Sequence, residues 1–126
     1  WYAGGWNSHR AGLPVNDFAI EPGKGYFVKS NKVSTWTVNG TTFTAAVPVS
    51  LSAGWNLIAV PYASRGYTAE SLAQAIAAQG GGVTDVNRWY AGGWNAHMVG
   101  LPFNDFVIEP NKGYFVKALR PSTWRP

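Results

Sequence analysis

Cysteine is absent from this chain, so disulfides and thiolate metal sites are excluded and cysteine usage carries no information about compartment. Charge is scarce as well: only 13% of residues are charged, about half the usual share. Ten Lys and Arg against six Asp and Glu leave a formal net charge of +4. These basic residues are scattered from Arg10 to Arg125 without a run of roughly five or six, which argues against nucleic acid as a partner. No apolar stretch approaches the roughly 18 residues that a membrane span needs. Neither a Met nor a signal-like segment stands at the start, which makes a processed product or a piece of something longer the expectation.

What the chain does have is apolar and aromatic. Hydrophobic residues make up 46% of its 126 positions, enough for one domain or two very small ones. Aromatics reach 15%, with seven Trp, which suits an extracellular β-protein whose wide side chains pack on neighbours or stack on ligands.

The chain also repeats itself. Residues Trp1 to Trp36 align without a gap on Trp89 to Trp124, at an offset of 88; ten positions differ and 26 of 36 are identical. Such self-similarity marks a tandem array. With the repeated piece called segment B and the intervening piece, Thr37 to Arg88, called segment A, the order is B–A–B. Residues 1–36 are then half a repeat unit, and residues 37–126 a near-complete one with an 88-residue period.

Local patterning predicts a mainly β fold of antiparallel hairpins with one short α-helix per unit. In Ser34-Thr35-Trp36-Thr37-Val38-Asn39-Gly40-Thr41-Thr42-Phe43, alternation runs into Asn39-Gly40 and resumes beyond it. Asn-Gly tolerates the positive φ of a type I′ turn, so a hairpin pairing Trp36 with Phe43 is expected. Trp55 to Val60 reads as a buried strand ended by Pro61. Thr68 reads as a helix N-cap with Glu70 in the first turn, and Leu72 and Ile76 share one face; Gly80-Gly81-Gly82 ends the helix. Segment B reads as two hairpin-like halves. One is Val86–Tyr90 and Trp94–Met98 around Ala91-Gly92-Gly93; the other is Phe106–Ile108 and Gly113–Lys117 around Glu109 to Lys112. The same reading covers Tyr2 to Lys29.

Three stretches resemble a repeat module of bacterial secreted and cell-surface proteins: Gly54-Trp55-Asn56-Leu57-Ile58, the hairpin carrying Trp89, Tyr90 and Trp94, and the PGKGYFVK-type stretch at Pro22–Val28 and Pro110–Val116. Their order matches that module, in which a hairpin like TWTVNGTTF leads into the next GWNLI strand. The resemblance implies an extracellular, modular, non-enzymatic role beside other surface domains, and it implies no ligand. Ala59-Val60-Pro61 departs from it, since Ser or Gly before an apolar residue and Pro is more usual.

Chemistry-bearing residues are few. Asp17 with Glu21, and Asp105 with Glu109, are paired acids of the kind glycoside hydrolysis uses. Their places beside Asn and Pro in loops favour backbone capping instead. His9 and His97 are solitary within each copy, with no second His or Cys to make a metal set. No Gly-x-Ser-x-Gly elbow is present, and neither Gly cluster opens a helix after a strand. An enzyme is therefore not expected, nor a cofactor.

The turn-proximal aromatics Trp1, Tyr2, Trp6, Trp89, Tyr90 and Trp94 have two readings. Rings near turns can stack on sugars, with Asn7 or Asn95 offering hydrogen bonds. Rings on facing hairpin strands also build a sheet core, and that reading is favoured. Asn39-Gly40-Thr41 satisfies a glycosylation sequon, which turn geometry alone explains. The function expected is a structural or adhesive element outside the cell that self-associates into a fibre, sheath or surface layer. The alternative is a soluble carbohydrate-binding module. Expected partners are other copies of the chain or, in the alternative, polysaccharide.

Overall fold

A computed structural model describes residues 1, 4–41, 43–60, 66–110 and 112–126. The protein is mainly β, with antiparallel pairing and one short helix. Its strands are β1 (Val49–Leu51), β2 (Gly54–Ala59), β3 (Tyr67–Thr68), β4 (Val83–Tyr90), β5 (Gly93–Met98), β6 (Val107–Ile108), β7 (Gly113–Ala118) and β8 (Ser122–Trp124). Helix α1 is Ala69–Ala78.

Segment A builds its elements from local signals. Asn56 ties off the turn before β2: its Oδ1 accepts from the Ser52 amide at 2.9 Å, and its Nδ2 donates to the Ser52 carbonyl at 2.9 Å and that of Gly54 at 3.0 Å. Gly54, at φ +90°, takes the left-handed conformation this turn requires. Thr68 caps α1: its Oγ1 accepts from the Ser71 amide at 3.2 Å, while its own amide donates to Ser71 Oγ at 2.8 Å. Gly80, at φ +94°, turns the chain out of the helix.

Four strands form the main sheet in the order β2-β7-β4-β5, so β7 of segment B lies between two strands that segment A supplies or begins. Two small two-stranded sheets, β1-β8 and β3-β6, accompany it. Alternation sends Ile58, Tyr114, Val116 and Val86 to an inner face, where they are buried with Leu72, Ile76, Ala69 and Ala73 of α1. Each fully buried Leu or Ile contributes about 1.5–3 kcal/mol. Trp124 closes this core from β8, fully buried and edge-on to Tyr67 at 5.7 Å.

Three local expectations are corrected. Asn39 and Gly40 are exposed, neither has positive φ, and residues 30–48 form no strand among those described; Thr42 of the expected hairpin lies outside them. The reason is visible in the second copy. Its Ser122-Thr123-Trp124 pairs with Val49–Leu51, the strand leading into β2, and not with residues that follow it. A Ser-Thr-Trp stretch thus finds its partner in a preceding segment A. Within this chain Val49–Leu51 is taken by the second copy, and a lone two-stranded hairpin is marginal in water.

The second correction concerns Val107–Ile108 and Gly113–Ala118, which do not pair with each other. Their partners are β3, and β2 with β4, respectively. Thirdly, the first copy forms no strand among its described residues, only isolated bridging. The two-residue hairpin turn of this fold sits instead at Ala91-Gly92, with φ of +50° and +82°.

Candidate functional site

The outer face of the sheet, away from α1, is aromatic. Register places Leu57 and Asn87 on either side of Phe115, and Trp89 opposite Trp94. Trp55, two residues from Leu57, joins the same face, with the Lys117 ammonium 5.6 Å from its ring centre.

Trp1, Trp6 and Phe27 of the first copy pack onto this face. The contacts are reciprocal. Trp6 and Phe27 are the counterparts of Trp94 and Phe115 at the 88-residue offset. Trp6 lies 6.1 Å from Phe115, and Phe27 lies 6.2 Å from Trp94. Phe27 and Phe115 meet at 6.2 Å. Within the copies, Trp6–Phe27 and Trp94–Phe115 are both 5.4 Å apart, and Trp1–Trp6 at 5.4 Å matches Trp89–Trp94 at 5.3 Å. Residue i touching j while j touches i is the mark of a two-fold contact. The two B copies therefore meet through equivalent aromatic faces. Aromatic pairs of this kind contribute about 0.5–1.5 kcal/mol each beyond their buried area.

A backbone contact fixes the register. The Gly25 amide donates to the Leu57 carbonyl and the Ala59 amide to the Gly23 carbonyl, both at 3.1 Å, along the open edge of β2. Gly25 is required there: a Cβ would stand 2.9 Å from both Ile58 O and Leu57 Cγ.

Between the copies lies an open cleft of about 300 Å³, lined by Trp1, Trp6, Trp55, Asn87, Trp94 and Phe115. The Trp1 indole donates to the Trp55 carbonyl at 3.1 Å. Asn87 Oδ1 is buried with no hydrogen-bond partner among the described residues.

Of the aromatics singled out in the sequence, Trp1, Trp6 and Trp94 come together in this cleft, and Trp89 packs edge-on against Trp94. Trp6, Trp89 and Trp94 stay about half exposed, so they are not the core; Trp124, Tyr67, Tyr114 and Phe106 are. Tyr90 projects to the other face, where the Arg88 guanidinium sits 4.6 Å from its ring centre. Tyr2 lies outside the described residues. Asn95 alternates away from Trp94, and Asn87 is the amide on the aromatic side. Sequence reasoning passed over Phe27, Trp55, Phe115 and Asn87. The period-2 pattern of Gly-Tyr-Phe-Val-Lys could have flagged the phenylalanines, since it sets Phe and Tyr on opposite faces.

The polar residues hold the body together. Asp105 Oδ1 accepts from the Glu70 amide at 2.8 Å, capping α1 from across the fold. His97 is fully buried, its Nδ1 2.8 Å from the Phe103 carbonyl and its Nε2 2.8 Å from Glu70 Oε2. Two acceptors facing both ring nitrogens favour the doubly protonated imidazolium. Burial opposes that charge, but the Phe103 carbonyl, the Glu70 carboxylate and the Asp105 charge outweigh it and raise the His97 pKa. Glu70 is held below its ordinary value, chiefly by the Gly100 amide at 2.9 Å and then by His97.

Among the described residues no group of three His, Cys, Asp or Glu could hold a metal ion, and no helix is long and apolar enough to cross a membrane. Comparison with protein families, with curated proteins and with solved structures returned no match to this chain.

Proposed function

We propose that this chain is a non-catalytic structural or adhesive module of an extracellular tandem-repeat protein, whose 88-residue units lock to one another and self-associate. The observation that supports this reading is the reciprocal aromatic contact between the two B copies, Trp6 on Phe115 and Phe27 on Trp94. An array in which each B copy offers the same face has a ready means of joining successive units, because a repeat buries its exposed face against its neighbour. The open edge of β2, met by Gly23–Gly25, adds strand-edge pairing to the same contact. Static and dynamic light scattering over a concentration series up to about 100 μM tests the reading. Particles growing beyond one chain are expected, and a strictly monomeric chain would overturn self-association.

A second reading, a carbohydrate-binding module, is favoured by the cleft itself: half-exposed Trp6 and Trp94 line it together with Asn87, whose Oδ1 has no hydrogen-bond partner among the described residues. Indole faces stack on the apolar faces of sugars, and a free amide oxygen accepts from a hydroxyl. Polysaccharide pull-down with Trp94→Ala tests it. Loss of binding with the circular dichroism unchanged supports it, and absence of binding by the unaltered chain refutes it.

A further inference from the structure

We infer that the inner face of the first B copy is a preformed seat for a second segment A, one not filled by a B copy of its own, so that residues 1–36 complete a unit by taking up a helix and strands they do not themselves contain. This rests on the tandem-repeat part of the reading above and names the piece that completes a repeat.

The two copies share their loop geometry although only the second has its inner face covered. His9 Nδ1 lies 3.1 Å from the Val15 carbonyl, as His97 Nδ1 lies 2.8 Å from that of Phe103. Gly12 and Gly100 have φ of +88° and +86°, and Asn16 and Asn104 both +55°. Phe18 stacks on Tyr26 at 5.9 Å and 13°, as Phe106 stacks on Tyr114 at 6.1 Å and 15°. Tyr26 Oη accepts from the Glu21 amide at 3.0 Å, matching Tyr114 Oη and the Glu109 amide at 2.7 Å. The loops therefore take their shape from segment B alone.

What differs is cover. Val28 is 80% exposed where Val116 is 0%, Ile20 is 66% where Ile108 is 7%, and Trp36 is 79% where Trp124 is 0%. The second copy shows what the missing cover is. Val116 lies between β2 and β4, Ile108 pairs with Tyr67, and Trp124 pairs with Val49; β1, β2, β3 and most of β4 belong to segment A. Polar complementarity points the same way. Exposed His9 and Asp17 stand where His97 and Asp105 receive the Glu70 carboxylate and the Glu70 amide at the start of α1. The aromatic side of the first copy is already engaged with the body of the chain, so its two faces do separate work.

The direct test adds a polypeptide of sequence Thr37–Arg88 to the intact chain and follows binding by calorimetry and sedimentation. A one-to-one complex is expected, with the Trp emission shifted to the blue as Trp36 leaves water. Trp36→Asp and Ile20→Asp, made at exposed positions, should weaken it by at least about tenfold, as removal of a central anchor does. No complex, or a complex indifferent to both substitutions, overturns the inference. A second arm joins a copy of Thr37–Arg88 directly ahead of Trp1, reproducing the natural Arg88–Trp89 junction. Trp36→Asp should lower the melting temperature of that longer chain and leave the original chain unchanged; no effect in either overturns the inference. A monomeric chain that still binds the polypeptide would refute self-association and leave this inference standing. A self-associating chain that ignores the polypeptide would do the reverse.

Discussion

Phe27 and Phe115 hold the same position in two copies of one segment, and their rings lie against each other at 6.2 Å with an interplanar angle of 32°. Each also touches the tryptophan that belongs to the other's copy. The pair therefore sits where the two copies meet, and a double-mutant cycle isolates it. Phe27→Ala and Phe115→Ala together should show a coupling of about 0.5–1.5 kcal/mol. Chemical denaturation followed by tryptophan fluorescence measures it, and strict additivity would mean the rings are neighbours without interaction.

Equivalent tryptophans should behave in opposite ways. Trp124→Ala removes a fully buried ring and should cost about 3–5 kcal/mol, whereas Trp36→Ala, at an exposed ring, should stay within about 0.5 kcal/mol of the parent. Thermal melts of the two variants side by side decide the matter.

Gly25 carries the contact between the first copy and β2. Gly25→Val would drive a branched side chain into Ile58 O and Leu57 Cγ, each 2.9 Å from where its Cβ must stand. The first copy should lift from the edge, the Ala59 amide should lose its hydrogen-exchange protection, and the Val86 and Val116 amides should keep theirs. Unchanged protection at Ala59 would show that the edge contact does not persist in solution.

The His97–Glu70 pair gives stability a pH dependence of definite sign. His97 has a raised folded pKa, so its contribution is complete below its ordinary 6.5 and is lost as pH rises through the raised value. Glu70 has a lowered one, so its contribution is complete above its ordinary 4.5 and is lost as pH falls through the lowered value. The pair contributes most between about pH 4.5 and 6.5. Melting temperatures should decline from pH 6 to pH 8, and His97→Gln should flatten that decline. A decline that persists in the variant would assign it to another group.

Turn chemistry separates Ala91 from Gly40. Ala91 is held at φ +50°, where an L-residue with a Cβ is strained, so Ala91→Asn should stabilise the hairpin by roughly 0.5 kcal/mol. Gly40 has no positive φ and an open surrounding, so Gly40→Val should leave the melting temperature nearly unchanged. A large loss at Gly40 would restore the hairpin that the sequence suggests there.

Helix α1 was legible from Thr68 to Gly80 because its signals are local: a capping side chain, apolar residues four apart and a glycine stop. The same holds for the antiparallel hairpin around Ala91-Gly92 and for β2. These elements depend on residues within a few positions of one another, and the chain alone determines them. Asn39-Gly40 carries an equally strong local signal and fails; the equivalent stretch of the second copy, Ser122–Trp124, pairs with Val49–Leu51 and not with residues that follow it. Partnership across such distances is tertiary. It is decided by which buried face is available, and Val49–Leu51 is already taken by Ser122–Trp124.

The candidate site divides in the same way. Sequence alone determined that the aromatics come in two equivalent sets, with Trp1 and Trp6 answering to Trp89 and Trp94. It could not tell core from surface for them, since a ring beside a turn has the same local pattern in either place. Only the tertiary structure decided that α1 covers the Val116 side of the sheet, leaving the Phe115 side for the other copy. The physical reason is that 36 residues sharing 26 identities cannot both occupy one set of partners: segment A has a single inner face to fill, and the second copy, continuous with it through β4, fills it.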